Sequence, residues 1–121
     1  METIGLVGGL SWHSTLEYYR LINERVAARR GGHASARLVL ESMDFSVIRE
    51  CQTSGDWERA GALLAEAARH CEAAGADFVV ICANLMHKVA DQVQAAVDIP
   101  LLHIADALAA HAHSRGWRRL G

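Results

Sequence analysis

Neither sign of charge dominates this chain: 12 lysines and arginines stand against 14 aspartates and glutamates, a formal net charge of −2. That balance gives no electrostatic reason to expect nucleic acid as a partner, and the basic residues are scattered apart from the pairs Arg29-Arg30 and Arg118-Arg119. Long apolar runs are missing too. None approaches the ~20 residues that cross a bilayer as a helix. A strand signal begins within the first residues, which leaves no room for a signal peptide. Cysteine is sparse: Cys51, Cys71 and Cys82 are odd in number and lack metal-type spacing. They do not make a disulfide framework, and a reduced, cytoplasmic protein is the simplest reading. No set of His, Cys and carboxylates has zinc spacing, so no metal is expected. His111 and His113 are two apart and do not share a helix face. Internal repeats, low-complexity segments and linkers are also lacking. At 121 residues the chain fits one small domain with a modest core.

What is present is an alternation of strand and helix signals. Residues 3–8 read as a first strand. Residues 14–29 read as a helix with Leu16, Tyr19, Ile22 and Val26 at helical spacing, stopped by Gly31-Gly32. Arg37 to Ser42 is a second strand with Leu38 and Leu40 on one face. Asp44 to Gly55 reads as a loop with at most a helical turn over Ser46 to Cys51. Asp56 is placed to cap a helix over 57–74, with a stripe of Trp57, Ala60, Leu64, Ala67 and Cys71. Phe78 to Cys82 is continuously apolar, the pattern of a central parallel strand covered on both faces. Met86 to Val97 is a helix using Val89, Val93 and Val97. Asp98-Ile99-Pro100 is a stop, Leu101 to His103 a short fourth strand, and Ile104 to Arg115 a helix ended by Gly116.

This order implies an α/β fold: a three-layer lobe with a parallel sheet of about four strands, right-handed crossovers and flanking helices. Trp117 to Gly121 looks like the start of a fifth strand. The sequence therefore reads as a fragment, a truncated gene product or half of a two-domain protein.

In such a sheet, ligands bind at the C-terminal ends of the strands. The run Gly8-Gly9-Leu10-Ser11 leaves the first strand there. Glycines allow close backbone approach, and the freed N–H groups of a turn and a helix start favour a carboxylate or phosphate. The register is not that of a dinucleotide-binding G-x-G-x-x-G. Cys82-Ala83-Asn84-Leu85-Met86-His87 occupies the same edge at the third strand. A thiol there serves either as a nucleophile or proton-abstracting base, or as a small buried hydrophobe. Asn84 either donates to a substrate carboxylate or caps the next helix. His87 and His103, near strand ends, either contact a ligand or are structural. Asp44, Ser46, Arg49 and Gln52 follow the second strand. Arg and Gln there suit a carboxylate; equally, the segment can satisfy its own turn hydrogen bonds.

Taken together, several segments resemble the aspartate/glutamate racemase family. They are Ile4 to Thr15 (IGLVGGLSWHST), Tyr18 to Glu24 (YYRLINE), Ser42 to Phe45 (SMDF), Glu50 to Gln52, Gly75 to Asn84 (GADFVVICAN), Met86 to Asp91 (MHKVAD) and Ile99 to Asp106 (IPLLHIAD). The resemblance runs nearly end to end, yet covers only the N-terminal half of a family member. It implies two similar α/β lobes with the active site between them, no cofactor, and frequent dimers. Each lobe supplies one acid/base residue, usually a cysteine. A two-base mechanism suits the chemistry: the α-proton of an amino acid is weakly acidic, so one group removes it and a second delivers another to the opposite face. Cys82 is the catalytic candidate by this resemblance, with Gly9, Leu10, Ser11, Gln52, Ala83, Asn84 and Leu85 around a small amino-acid or dicarboxylate substrate. The chain would form a homodimer or associate with the second lobe, which is absent from these residues.

Three departures from the family pattern matter. Relatives place Cys, Asn and Thr in direct succession, whereas here Ala83 precedes Asn84 and Cys82 lies one place earlier. Some members have a threonine where Ala83 stands. Leu85 replaces a hydroxyl-bearing threonine, and His13 stands where Glu is common. Adjacent residues on a strand face opposite ways, so either the strand continues and Ala83 falls in the catalytic slot with Cys82 pointing away, or the turn begins earlier and Cys82 is the base. The resemblance implies an amino-acid racemase whose isolated chain is weak or inactive. A non-catalytic remnant lobe binding a small carboxylate or a partner lobe is the alternative. Hydantoin racemase or maleate isomerase chemistry is a third.

Overall fold

A computed structural model describes residues 2–9, 11–82 and 87–102. The apolar run after Met1 forms β1 (Thr3–Gly8), and the chain then enters α1 (Trp12–Arg30). β2 (Arg37–Ser42), α2 (Phe45–Ser54), α3 (Trp57–Ala73), β3 (Phe78–Ile81), α4 (His87–Ala95) and β4 (Leu101–Leu102) follow. The four strands form one sheet in the order β2-β1-β3-β4, and every pairing is parallel. β1 and β3 are therefore central. The side chain of Asp77 accepts the Thr3 amide at 2.7 Å, and the Asp77 amide donates to the Thr3 carbonyl at 2.8 Å, fixing the entry register.

Alternation along the strands sends side chains into two cores. Ile4 and Leu6 join Ile22, Phe78, Val80 and Cys82 on the α1 side. Val7, Val79 and Ile81 join Leu64, Ala68, Val89 and Val93 on the side of α3 and α4. Fully burying an Ile, Leu or Val contributes about 1.5–3 kcal/mol, so the central strands dominate the stability of the lobe. Both α3 and α4 use the stripes expected of them. Ala60, Leu64, Ala67 and Cys71 are buried, as are Val89 and Val93, while Trp57 packs partly buried at the rim; Val97, expected within α4, is buried just past its end at Ala95. Asp56 caps α3, accepting the Arg59 amide at 3.1 Å.

Two elements differ from expectation. Residues 45–54 are a complete helix, not a loop with a turn. Asp44 starts it by accepting both the amide and the hydroxyl of Ser46, at 2.9 and 2.7 Å, and it buries only Ile48 and Cys51. α1 begins at Trp12 rather than residue 14, and its buried face is Thr15, Ile22 and Val26 with Tyr18 partly buried. Leu16 and Tyr19, expected on that face, are 56% and 51% exposed. The expected helix over 104–115, the strand beginning at 117, and His103 lie outside the described residues. Among the described residues, no helix is long and apolar enough to cross a membrane, and no group of His, Cys and carboxylates is placed to hold a metal ion.

Candidate functional site

Because the sheet is parallel, its strands all end at one edge. Gly8 is level with Ser42, and Val7 with Ile81. At that edge Cys82 therefore comes level with Gly8 and Ser42, and Gly9 and Met43 stand one residue further along. The Met43 amide donates to the Gly8 carbonyl at 2.8 Å, and the Cys82 amide to the Val7 carbonyl at 2.9 Å. The end of β1 is thus held from both sides.

The glycines of the turn are dictated by crowding. A Cβ on Gly8 would come 2.7 Å from Thr15 and 3.1 Å from the Leu40 methyl. Gly9 has φ +80°, and a Cβ there would run into the backbone of Met43. Only glycine meets both demands at Gly9. Ser11 also has a positive φ, 107°. Ser11 makes no side-chain cap, and the amides of Ser14 and Thr15 bond to its carbonyl at 3.1 and 3.3 Å. The first-turn amides of α1 therefore have no side-chain acceptor from Ser11. One expectation needs correcting. The Gly9 amide is not free for a ligand: it donates to the Thr15 hydroxyl at 2.8 Å, in a buried bond.

Thr15 was not singled out from the sequence. It is the buried polar side chain of the described core, and it locks the glycine turn onto α1. The available signal was a hydroxyl residue within the first turn after the glycines.

Cys82 is fully buried in the apolar cluster beneath α1. Burial pushes its thiol up to about 12, with the nearby Cys71 adding to the effect. Tyr18 lies close enough that its phenol is also raised, chiefly by burial and then by Cys82. A thiol in such surroundings stays protonated and inert near neutrality. Phe78, Val80 and Cys82 share one face of β3, with Val79 and Ile81 on the other.

Gln52 sits partly buried near the end of α2, where its carbonyl accepts the Gly55 amide at 3.3 Å. Its side chain makes no hydrogen bond among the described residues. Asp44 and Ser46 bond each other, which holds the Asp44 carboxyl below its ordinary range. Leu10, Ala83, Asn84 and Leu85 lie outside the described residues. Across the sheet from α1, Glu41, Asp44, Glu66 and His70 line a cleft of about 280 Å³. With three carboxylates on its wall, it repels rather than attracts a dicarboxylate.

A parallel α/β lobe with a crowded glycine turn and an uncapped helix start at its strand ends defines a class: an open-sheet α/β domain. Comparison makes the class specific. The chain belongs to the Asp/Glu/Hydantoin racemase family, whose model matches residues 7–121. It is similar to the crystal structure of a proposed Asp/Glu racemase from Yersinia pestis, at 50% identity and a TM-score of 0.83. It is also similar to an aspartate racemase homologue from Pyrococcus horikoshii OT3, at 32% identity and a TM-score of 0.74. Each comparison covers 96% of this chain and 50% of the other, so the chain spans half the length of these structures.

Proposed function

We propose that this chain is the N-terminal lobe of an amino-acid racemase of the aspartate/glutamate type, forming one wall of a cofactor-independent, two-base site. The observation that carries the reading is the turn from Gly8 to Ser11, where glycine is sterically required and α1 starts without a side-chain cap. In this reading Gly9, Leu10 and Ser11 shape the turn beside the substrate carboxylate. Gln52, Asn84 and Leu85 border the substrate, and Ala83 occupies the proton-transfer position. Cys82, the other candidate, packs behind the strand. A second lobe, or a second copy of the chain, supplies the remaining groups. The three free thiols, all buried, suit a reducing compartment such as the cytoplasm.

One observation favours a second reading. With its thiol buried and raised to about 12, Cys82 does not serve as the base that abstracts an α-proton at neutral pH. A non-catalytic lobe that retains carboxylate binding fits that fact.

Exchange of the α-proton in D₂O, followed for both enantiomers of aspartate and glutamate, tests the assignment. The chain alone should turn over far below the ordinary enzymatic range of ~1–10³ s⁻¹; turnover within that range would overturn it. Ala83→Cys should then introduce exchange with one enantiomer. Carboxylate binding without any exchange in that variant would favour the non-catalytic lobe.

A further inference from the structure

Two features of Ser11 cost stability. Among the described residues it is the one residue other than glycine with a positive φ, 107°. A residue with a Cβ enters that region only where its surroundings hold it there. A serine in the N-cap position also ordinarily accepts an amide of the first helical turn. Ser11 does not, because its side chain caps nothing. The Ser14 amide, a usual partner for such a cap, donates to the Ser11 carbonyl at 3.1 Å instead. The Ser11 hydroxyl makes no hydrogen bond among the described residues.

Thr15 is placed to enforce both. The Gly9 amide donates to the Thr15 hydroxyl at 2.8 Å, and that hydroxyl donates to the Ser11 carbonyl at 3.5 Å. The Thr15 amide bonds to the same carbonyl at 3.3 Å. One hydroxyl thus ties both ends of the segment 9–11, and the chain must fold tightly between them. Both tied residues have a positive φ, +80° at Gly9 and 107° at Ser11. Gly9 has no Cβ to suffer from it; Ser11 has one. Thr15 cannot move aside, since it is buried and its side chain fills the space beside Gly8. Backbone strain that the surroundings over-determine in this way is characteristic of ligand clamps.

We propose that Thr15 is a positioning residue: its hydroxyl holds Ser11 in the strained, uncapped conformation and so reserves the Ser11 hydroxyl for the substrate carboxylate. The inference rests on the racemase reading for the identity of the substrate. Thr15 acts through Ser11 and does not itself touch substrate. Once the tie is removed, Ser11 relaxes to a negative φ and its hydroxyl turns back to cap α1.

NMR and urea unfolding of the ligand-free chain test the hold of Thr15, and titration with L-aspartate tests its purpose. In Thr15→Val the coupling between the Ser11 amide and Hα protons should rise as φ turns negative; Thr15→Ser should keep the wild-type coupling. Ser11→Gly should raise the urea midpoint of the wild type, where it relieves strain. It should not do so in Thr15→Val, where the strain is already gone. Aspartate binding should weaken about 10-fold in Ser11→Gly and in Thr15→Val, the worth of one hydrogen bond to a charged group. The double variant should lose no more than either single one, and Thr15→Ser should bind as the wild type does. Ser11→Gly leaves Thr15 in place, so a more stable chain that binds aspartate less well supports the proposal even where Thr15→Val does not fold. An unchanged Ser11 coupling in Thr15→Val, an equal gain in midpoint from Ser11→Gly in both backgrounds, or aspartate binding indifferent to Ser11→Gly would each overturn it. A chain that takes up no aspartate, while couplings and midpoints change as expected, would overturn the racemase reading and with it the purpose assigned to Ser11.

Discussion

The amide of Gly9 and the hydroxyl of Thr15 are bonded at 2.8 Å in a buried position, tying the glycine turn to the first turn of the following helix. The same hydroxyl lies 3.5 Å from the Ser11 carbonyl, its acceptor. Thr15 thus serves as acceptor and donor inside the turn, and its methyl packs where a Gly8 side chain would be. Replacing it with valine keeps the volume but strands the Gly9 amide. Thr15→Val should cost about 1–3 kcal/mol, the penalty of a buried unsatisfied donor. Thr15→Ser, which keeps the oxygen, should cost less. Urea unfolding of the two variants checks the order.

Gly9→Ala should be worse than Gly8→Ala. At Gly8 the obstacles are the Thr15 and Leu40 side chains, whereas at Gly9 they are the Met43 backbone and a φ of +80°. The positive φ alone costs a residue with a Cβ roughly 1–2 kcal/mol, and overpacking adds typically 1–3 kcal/mol. Thermal unfolding of both variants measures the difference; equal losses would mean that the turn shifts to make room.

Cys82 should react slowly with an alkylating reagent at pH 7, and no faster than Cys71, whose thiol burial raises to about 11. Cys82→Ser should lower stability by about 1–3 kcal/mol through a buried, poorly satisfied hydroxyl. Fast labelling with an apparent pKa below ~8.5 would return Cys82 to the role of a base.

The same thiols set an alkaline limit. In the unfolded chain they ionise near their ordinary value of 9.0, and in the folded chain only near 11 and 12. Above the lower value the unfolded state holds fewer protons than the folded state, so stability falls as pH rises. Their contribution should be fully present below pH 9 and decline between 9 and about 12. Stability that stays flat across that window in equilibrium unfolding would contradict the burial of both thiols.

The sheet was readable because strands buried on both faces, such as Phe78 to Ile81, leave continuous apolar runs bounded by turn signals. α2 was hidden because it buries only Ile48 and Cys51, too few positions to show a period. The face of α1 was misread for a different reason. Two stripes compete there, Leu16 and Tyr19 against Thr15, Tyr18, Ile22 and Val26, and the buried stripe contains a threonine. Burial of Thr15 follows from a bond to the turn that sequence periodicity does not encode. At the site, the glycine turn was legible from composition alone. The inward orientation of Cys82 followed from strand alternation, while the loss of the Gly9 donor to Thr15 required coordinates.

The clamping of β1 between Met43 and Cys82 has a consequence for how the lobe tolerates change. Local opening starts at edges and ends, where few contacts resist it. The glycine turn sits at the end of a strand whose last two carbonyls are bonded to neighbours on opposite sides. β2 and β4, the outer strands among the described residues, can therefore fray or accept substitutions before the turn moves. The flanks of the lobe can therefore be remodelled while the glycine turn keeps its shape.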